Sequence, residues 1–484
     1  MVRITAVLLA LFALAGAAFA QSIELNDCRI SAGPGSPSMK ARCGTLLRPL
    51  DPTGAVPGEI ELKIAVVPAL NLTPEPDPFV PIAGGPGQSS IQFYSSYAPS
   101  FENVRRNRDI VLVDQRGTGE SSAMDCPVDD DVVEGQYSTE LTIEYTLACL
   151  AQLPVDPRLF TTSVAVTDLE AVREALGYPS LNLYGISYGT RVAQHFARRY
   201  PGSTRSVVLD GVVPPQIALG PEIATESQRA VDAILARCAD DAACNERFPD
   251  IRETFRKIVA ELDSSPVTID VPHPGTGRPE STTLGRGEFA IAVRLLAYHP
   301  GSIALLPLLI NEAGNGNFVP LGSQFMMTTT AISDAISLGM HNTIMCTEDL
   351  PFFDKLTIDY EGIAASYMGV FQLSALEAIC SVWPEGPIDP EFKAPLATDL
   401  PVLLLSGDAD PITPPRYAEM AAVDFSNARH LIGKHQGHGQ LGVGCNRRLV
   451  AAFIDAADPG IIDAECLERS FVMPFFLDFS GPLP

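Results

Sequence analysis

A serine, a histidine and an aspartate far apart in the sequence could together carry out acyl transfer: Ser187, His438 and either Asp408 or Asp410. Ser187 stands between Gly185 and Gly189, and glycines two positions before and after a serine permit a sharp turn from a strand into a helix. On such a turn the hydroxyl is held in the open, where a histidine can remove its proton and a carboxylate can orient that histidine. We therefore expect Ser187 to act as a nucleophile.

The acid and the base are expected downstream of the nucleophile. Asp408 and Asp410 both follow a predicted strand, and local spacing does not choose between them. His438 has a glycine on either side, which lets its imidazole approach a serine closely, so it is the expected base. His435 is expected to be a loop residue, and His195 is expected to be structural.

Backbone N–H groups are expected to stabilise the oxyanion that forms when the nucleophile attacks a carbonyl carbon. One donor is Tyr188 N–H, at the start of a predicted helix, and the other is Gly85 N–H, in the glycine turn at residues 84–87. The chain itself then supplies nucleophile, base and oxyanion donors, so no metal or organic cofactor is expected.

A sheet must position these residues. Runs of β-branched and apolar residues predict strands at residues 60–67, 79–83, 109–114, 181–184, 206–210, 401–406 and 430–432. Helices are predicted at residues 163–176 and 190–200. Strands that alternate with helices favour a mostly parallel sheet.

The alternation of strands and helices stops at Gly211. Residues 211–395 contain helical and loop-like segments and are predicted to form a cap insertion. The core is then expected from two parts of the chain, residues 21–210 and 396–484. With 484 residues, of which 46% are apolar, the chain is long enough to bury a large core.

The first twenty residues are typical of a secretory signal peptide. Arg3 gives a basic start, residues 7–14 are apolar, and Ala18-Phe-Ala20 fits a small-residue cleavage site. We expect a mature chain that begins near Gln21 and a protein exported to the periplasm or the medium. A membrane anchor is the alternative, but the apolar stretch is short for a membrane span.

The chain is strongly acidic, with a formal net charge of −25. Removing the predicted signal removes one positive charge, that of Arg3, and changes −25 to −26. This balance argues against nucleic acids and anionic membranes as partners. No stable membrane association is expected after signal removal, and the sequence leaves the oligomeric state open.

Ten cysteines fit an exported protein, because exported chains meet oxidising conditions. Their spacing suggests that neighbours in the sequence pair, although the sequence leaves the connectivity open. Metal binding is less favoured, since the chain has no Cys-x-x-Cys. The expected pairs are Cys28 with Cys43, Cys126 with Cys149, Cys238 with Cys244, Cys346 with Cys380, and Cys445 with Cys466.

Five longer motifs carry a resemblance to a known family. They are Gly84-Gly-Pro-Gly87, Asp114-Gln-Arg-Gly-Thr-Gly-Glu-Ser121, Gly185-Ile-Ser-Tyr-Gly189, Gly407-Asp-Ala-Asp-Pro411 and Gly437-His-Gly439. Through them the chain resembles the secreted TAP-like α/β hydrolases, the tripeptidyl aminopeptidase and proline iminopeptidase group of serine peptidase family S33 type. The resemblance implies an α/β-hydrolase fold, with a mostly parallel sheet flanked by helices and a largely helical cap insertion.

The resemblance also implies roles for single residues. The family pattern G-x-x-D-x-x-x-P places the acid at Asp410 and leaves Asp408 in a turn, and Arg116 is expected to be buried and paired. Glu348 is expected to bind the free ammonium group of a peptide, with a solvated surface position as the alternative. Ala83 stands where proline iminopeptidases usually have histidine, a departure that leaves backbone N–H donation intact and puts the substrate preference in doubt.

The implied activity is that of an exported serine aminopeptidase. It would release one to three residues from peptides with free N-termini, through an acyl-enzyme on Ser187. The first alternative is an esterase or amidase with the same triad, because only the cap decides between peptide and non-peptide substrates. The second is a binding protein on a non-catalytic hydrolase scaffold.

Overall fold

The structure is a computed structural model that describes residues 22–33, 35–126 and 138–481. The predicted signal peptide lies outside the described residues. The strands found in these ranges are β1 (Asn26–Ser31), β2 (Ser38–Pro49), β3 (Glu59–Val67), β4 (Phe79–Ile82), β5 (Ile110–Val113), β6 (Leu181–Ile186), β7 (Thr204–Asp210), β8 (Val267–Pro272), β9 (Pro279–Leu284), β10 (Val402–Gly407) and β11 (Ala428–Gly433).

Helices precede and follow most of these strands. A π-helical turn at Met345–Asp349 continues the helix that ends at Ile344. None of the helices in the described ranges has the length and apolar character needed to cross a bilayer. The helices are α1 (Ser90–Arg105), α2 (Thr139–Gln152), α3 (Thr162–Leu176), α4 (Tyr188–Arg199), α5 (Ile223–Asp240), α6 (Ala242–Arg247), α7 (Ile251–Ser264), α8 (Arg286–Leu296), α9 (Pro300–Gly314), α10 (Val319–Ser333), α11 (Leu338–Ile344), α12 (Tyr360–Ala365), α13 (Phe371–Cys380), α14 (Pro415–Ala421), α15 (Asn446–Ala456) and α16 (Glu465–Glu468).

Nine strands form one sheet in the order β1-β2-β3-β5-β4-β6-β7-β10-β11. From β5 to β11 neighbouring strands pair in parallel, whereas β1, β2 and β3 form an antiparallel edge that meets β5. The carboxyl ends of β6, β7, β10 and β11 therefore lie side by side at one edge of the sheet. The predicted class, a mostly parallel sheet with helices, is confirmed.

Both faces of the central strands are buried, as their continuous apolar runs predict. Leu183 and Leu404 belong to the core cluster that contains α3 and α4, whereas their neighbours Tyr184 and Leu403 belong to the cluster that contains α1 and α15. Successive strand residues point to opposite faces, so each strand supplies both clusters. This double burial fixes the register of the strands whose ends carry the site.

The strand predictions agree with β3, β4, β5, β6, β7, β10 and β11 to within two residues at each end. The structure adds β1, β2 and the separate hairpin of β8 with β9, which the sequence analysis did not predict. Charged and polar residues alternate with half-buried ones along β1 and β8, so neither strand has an apolar run.

The segment between β7 and β10 has its own apolar core. Residues of α5, α7, α8, α9 and α10 meet there, together with Phe475 from the C-terminal segment. The guanidinium of Arg237 lies 4.2 Å from the centre of the Phe475 ring, a cation–π contact that fastens this segment to the cap. The boundaries 211 and 395 of the cap stay a prediction.

The five disulfides join the cysteines in the pairs expected from their order in the sequence, and the described residues include no free cysteine. Each closes a loop of 6 to 34 residues. One of them fastens the π-helical turn at Cys346 to the end of α13 at Cys380. Such links stabilise a fold mainly by restricting the unfolded chain.

The turn after β5 is held by a buried ion pair, as expected for Arg116. The Arg116 side chain is fully buried and donates to both carboxylate oxygens of Asp168 on α3, at 2.7 and 3.0 Å. It also donates to the backbone carbonyls of Leu50 and Leu159, each at 2.8 Å. The guanidinium therefore joins β2, the turn after β5, and α3.

We expect Asp168→Ala to destabilise the protein by about 3–5 kcal/mol, because it leaves the Arg116 guanidinium buried without its counter-charge. The free energy of unfolding, measured with chemical denaturant, checks this. Glu120→Ala is the matched control, since Glu120 pairs with Lys63 at the surface, and a loss below about 1 kcal/mol is expected there. Equal losses in the two variants would contradict the structural role of the Arg116 pair.

Candidate functional site

The turn that carries Ser187 has no room for side chains at its glycines. Ser187 has φ 55° and ψ −127°, a strained conformation between β6 and α4. A Cβ on Gly185 would lie 2.3 Å from the carbonyl oxygen of Gly189, and a Cβ on Gly189 would lie 2.3 Å from that of Ile82. The spacing of the glycines thus follows from close backbone contact, and the strained serine projects from the end of a central strand.

The glycine turn after β4 passes beside this serine. A Cβ on Gly84 would lie 2.9 Å from the Ser187 Cβ and 3.6 Å from its Oγ. The N–H groups of Gly85 and Tyr188 make no hydrogen bond within the ranges that the structure describes. Tyr188 N–H is the first of α4, where backbone donors have no partner inside the helix. Both N–H groups are therefore free donors, one on the residue after Ser187 and the other on the residue after Gly84.

The structure brings His438 to Asp410. His438 Nδ1 is 2.8 Å from Asp410 Oδ2, and Asp410 is fully buried at the end of β10. Burial acts to raise the pKa of Asp410, but the charge of His438 and its hydrogen bond outweigh that effect and lower the pKa. Burial acts to lower the pKa of His438, but Asp410 raises it above the ordinary value. Asp410 therefore stabilises the protonated imidazole of His438.

Thr413 completes the environment of the acid. Asp410 accepts from the N–H groups of Ile412 and Thr413 at 2.9 Å each and from the Thr413 hydroxyl at 2.7 Å. The same hydroxyl is 3.1 Å from His438 Nδ1. These bonds fix the carboxylate in one orientation, with Oδ2 facing the imidazole.

Asp408, two residues before Asp410, contacts the backbone of the histidine loop. Asp408 accepts the backbone N–H of His435 at 2.6 Å, and His435 adopts a left-handed conformation with φ 58°. Asp408 thus shapes the loop that leads to His438. Of the two acids that the sequence left open, the structure brings Asp410 to His438.

Helix α5, the first helix of the cap, is hydrogen-bonded to the acid loop (residues 408–411). Arg229 on α5 donates to the backbone carbonyls of Asp408 and Asp410 at 2.9 Å each. Two residues earlier, the Ser227 hydroxyl donates to the carbonyl of Pro411 at 3.0 Å. The position of the acid therefore depends on the cap as well as on the sheet.

Asp210 links the serine turn to the histidine loop. Its carbonyl accepts the Ser187 N–H at 2.9 Å, and its carboxylate accepts the N–H groups of Gln440 and Leu441 at 2.7 to 2.9 Å. Tyr184 also donates to this carboxylate at 2.8 Å. Burial raises the pKa of Asp210 to about 6, although these hydrogen bonds and the charge of His438 favour the ionised form.

The cap covers the histidine with Tyr298. Its ring centre lies 5.0 Å from that of His438, and its carbonyl accepts the His438 N–H at 2.8 Å. On the other side, the His341 Nδ1 lies 3.3 Å from the carbonyl oxygen of Pro86 in the glycine turn. Residues of the segment between β7 and β10 thus contact both the histidine and the glycine turn.

Glu348 is buried, so the alternative of a solvated surface position is wrong. It is fully buried in the π-helical turn, and its two oxygens accept from the N–H and hydroxyl of Thr162 at 2.7 and 2.9 Å. Its neighbour Asp349 accepts from both terminal nitrogens of Arg191, on α4, at 2.9 and 2.8 Å. Burial raises the pKa of Glu348 to about 7. Its expected contact with a substrate ammonium group stays a prediction.

Two further expectations concern groups away from the serine. His195 Nε2 lies 2.9 Å from Asp389 and 3.4 Å from the Ser163 hydroxyl, contacts that join α3 and α4 to the segment before β10. The described residues contain no group of three or more histidine, cysteine or acidic side chains that could hold a metal ion.

Several residues of the site were not predicted from the sequence. Asp210 follows an apolar run as Asp410 does, and this position at a strand end is a usable signal. Thr413 lies inside the acid motif and could have been found there. Tyr298 and Arg229 are in the cap and belong to no motif, so only the three-dimensional structure reveals their contacts.

The fold and the site define the class. A mostly parallel sheet carries a serine on a strained turn after one strand and an aspartate–histidine pair after two later strands, which is the architecture of an α/β hydrolase. A family model described as the alpha/beta hydrolase fold matches residues 77–236, and a second, described as TAP-like protein, matches residues 365–466. The two matches support a TAP-like α/β hydrolase, and together with the sheet they show the α/β-hydrolase fold.

Curated relatives agree with this assignment. The chain is 30% identical over 277 residues to the putative hydrolase YuaR of Escherichia coli, an alignment that covers 53% of this chain and 55% of YuaR. It is 26% identical over 456 residues to the serine protease Hip1 of Mycobacterium tuberculosis, covering 84% of this chain and 82% of Hip1. A 148-residue stretch is 30% identical to the tripeptidyl aminopeptidase of Streptomyces coelicolor, covering 27% of each chain.

Proposed function

We propose that this protein is an exported serine aminopeptidase that acts on peptides with free N-termini. The observation that carries the proposal is the His438–Asp410 pair at the sheet edge where Ser187 projects from its strained turn. The names of two relatives, a serine protease and a tripeptidyl aminopeptidase, support peptides as the substrate class. The five disulfides support export.

The residues of the proposed triad share the steps of the reaction. His438 removes the Ser187 proton as Oγ attacks the scissile carbonyl carbon, and Asp410 stabilises the resulting imidazolium. The N–H groups of Gly85 and Tyr188 donate to the oxyanion of the tetrahedral intermediate. His438 then gives its proton to the leaving amine, and an acyl-enzyme remains on Ser187. His438 then deprotonates the water that attacks this ester and gives the proton to Ser187 Oγ as the ester bond breaks, which releases the N-terminal fragment with a new carboxyl group.

An esterase or amidase is the alternative function. The same triad attacks esters and amides, so the residues at the sheet edge do not discriminate between the two. The cap decides which substrates reach the serine, and Tyr298 covers His438 closely on that side. A requirement for a free α-amine separates the aminopeptidase from the alternative.

The test compares mono-, di- and tripeptidyl fluorogenic amides, each with a free and an acetylated N-terminus, alongside a short-chain p-nitrophenyl ester. We expect kcat/KM to fall at least about tenfold on acetylation, because a site that binds an ammonium group loses a charged partner. The preferred peptide length then gives the number of residues released. Turnover of the ester alone, or equal rates on free and acetylated peptides, would sink the aminopeptidase assignment.

A further inference from the structure

The side chain of Tyr188 takes part in a chain of hydrogen bonds that the catalytic steps do not use. Its ring is buried, and its hydroxyl lies 3.0 Å from Gln115 Nε2 and 2.6 Å from the Thr162 hydroxyl. The Thr162 hydroxyl donates to Glu348 Oε2 at 2.9 Å, and the Thr162 N–H donates to Glu348 Oε1 at 2.7 Å. Four residues that are far apart in the sequence thus form one chain.

The direction of these hydrogen bonds follows from the groups at the two ends. The amide nitrogen of Gln115 can only donate, whereas both oxygens of Glu348 accept. The Thr162 hydroxyl has one proton and gives it to Glu348. The Tyr188 hydroxyl must therefore donate to Thr162 and accept from Gln115. All the bonds run toward the carboxylate, and bonds in such a chain strengthen one another.

Tyr188 also carries one of the two expected oxyanion donors. Its N–H belongs to the peptide unit that joins it to Ser187, and the carbonyl of this unit accepts from the N–H and hydroxyl of Thr190 at 2.9 and 2.6 Å. On one side of the unit is the strained backbone of Ser187, which persists only if its surroundings hold it. On the other side is Tyr188, so anchoring its side chain helps to fix the direction of its N–H.

The end of the chain at Glu348 is held by buried charges. Glu348 is fully buried in the π-helical turn, and its Oε2 lies 3.8 Å from Arg191 Nη1. The adjacent Asp349 pairs with Arg191 at 2.8 Å and with Lys393 at 3.3 Å. These ion pairs fasten the π-helical turn to α4, the helix that begins at Tyr188. Glu348 is therefore a fixed end point for the hydrogen bonds that reach Tyr188.

We infer that Glu348 is a positioning residue of the oxyanion site, which acts through Thr162 and the Tyr188 hydroxyl to hold the Tyr188 N–H in place. The inference rests on the proposed acyl transfer at Ser187 and adds a residue of the cap to it. It gives Glu348 a role inside the protein, whereas the family resemblance implies a contact with the ammonium group of the substrate. The two roles differ in their consequences for substrates without an ammonium group.

Tyr188→Phe tests the chain most directly, because it removes the hydroxyl and leaves the ring in place. The matched control is Tyr178→Phe, which removes a hydroxyl that donates to Asp109 at 2.9 Å. Tyr178 precedes β6 and therefore lies at the opposite end of this strand from Ser187. Thermal unfolding shows that each variant is folded.

Three further variants test the remaining members of the chain. Thr162→Val removes the middle hydroxyl, Thr162→Ser keeps it, and Glu348→Gln removes the carboxylate. Rates are measured on a short-chain p-nitrophenyl ester and on peptidyl amides with free and acetylated N-termini. The assays are run at pH 8, above the pKa of about 7 to which burial raises Glu348, so that its carboxylate is ionised.

We expect Tyr188→Phe to lower kcat about tenfold on every substrate and to change KM less than about twofold, because an oxyanion donor acts in the transition state. The affinity for a peptidyl trifluoromethyl ketone should fall by the same factor, since Ser187 Oγ adds to its carbonyl carbon and creates an oxyanion there. Thr162→Val should behave in the same way. Thr162→Ser should keep at least about half of the wild-type kcat, and Tyr178→Phe should leave kcat and the affinity unchanged.

Glu348→Gln separates the two roles of Glu348. A positioning residue lowers kcat by a similar factor on the ester, the acetylated peptides and the free peptides. The double variant with Tyr188→Phe should then lose little more than the larger single loss, because both changes interrupt one chain. A loss confined to peptides with free N-termini would assign Glu348 to the ammonium group and overturn the inference.

Other outcomes separate this inference from the proposed function. An unchanged kcat in Tyr188→Phe, or an equal loss in Tyr178→Phe, would overturn the positioning role and leave the peptidase standing. If the wild type cleaves the ester and no peptide, the peptidase assignment fails, and the ester rates still decide the role of Glu348. Absence of all turnover by the wild type would overturn both.

Discussion

Replacing Ser187 with alanine is expected to lower kcat by about a millionfold. The variant loses the nucleophile, so the acyl-enzyme cannot form and only the oxyanion donors and substrate binding remain. The fold should persist, because the described ranges show no hydrogen bond from the Ser187 side chain. Single-turnover kinetics and labelling by a fluorophosphonate probe check the result.

Ser163 offers a matched control for the nucleophile. It is a buried serine 3.4 Å from a histidine that also contacts an aspartate, so it has the residue types of a triad. Ser163 and Asp389 both face the same ring nitrogen, His195 Nε2. In a catalytic triad the serine and the aspartate contact different nitrogens of the ring, so this group cannot act as one. The Ser163→Ala variant should still be labelled by the fluorophosphonate probe and should keep its activity. Labelling that persists in Ser187→Ala would overturn the assignment of the nucleophile.

Asp410→Asn is expected to lower kcat by about ten-thousandfold, because an amide holds His438 in the wrong tautomer. The charge of Asp410 raises the pKa of His438, so its removal lowers that pKa. His438 must be neutral to accept the serine proton, and the neutral form then persists to lower pH. The acidic limb of the pH profile of kcat/KM should therefore move to lower pH in the variant.

The comparison with Asp408→Asn makes this result specific. Asp408 accepts a backbone N–H of the histidine loop and does not contact the imidazole, so its loss should cost less than about tenfold and leave the pH limb in place. If the two variants lost activity equally, or if Asp408→Asn alone moved the limb, the acid would have to be reassigned.

The sequence predicted the strands that are buried on both faces and the residues at their ends. Short, mostly apolar runs such as residues 401–406 are typical of strands that are buried on both faces. The edge strands β1 and β2 escaped prediction, since partly exposed strands carry charged and polar residues. The positions of the motif residues Ser187 and His438 at strand ends were therefore easier to predict than the antiparallel edge of the sheet.

The contacts made by residues of the cap could not be predicted from the sequence. Two adjacent acids do not reveal that Glu348 contacts Thr162 and that Asp349 contacts Arg191, because these partners are more than a hundred residues away. Burial and pairing are properties of the assembled fold, and residues that depend on them must be located in three dimensions.

The hydrogen bonds from α5 to the acid loop affect which parts of the chain can be exchanged between relatives. Because Arg229 and Ser227 donate to carbonyls on residues 408–411, the cap and the loop form one mechanical unit. A chimaera that grafts the cap of a relative onto this core would present a foreign helix to the acid loop. Transfer of substrate preference between relatives should therefore require exchanging the loop together with the cap.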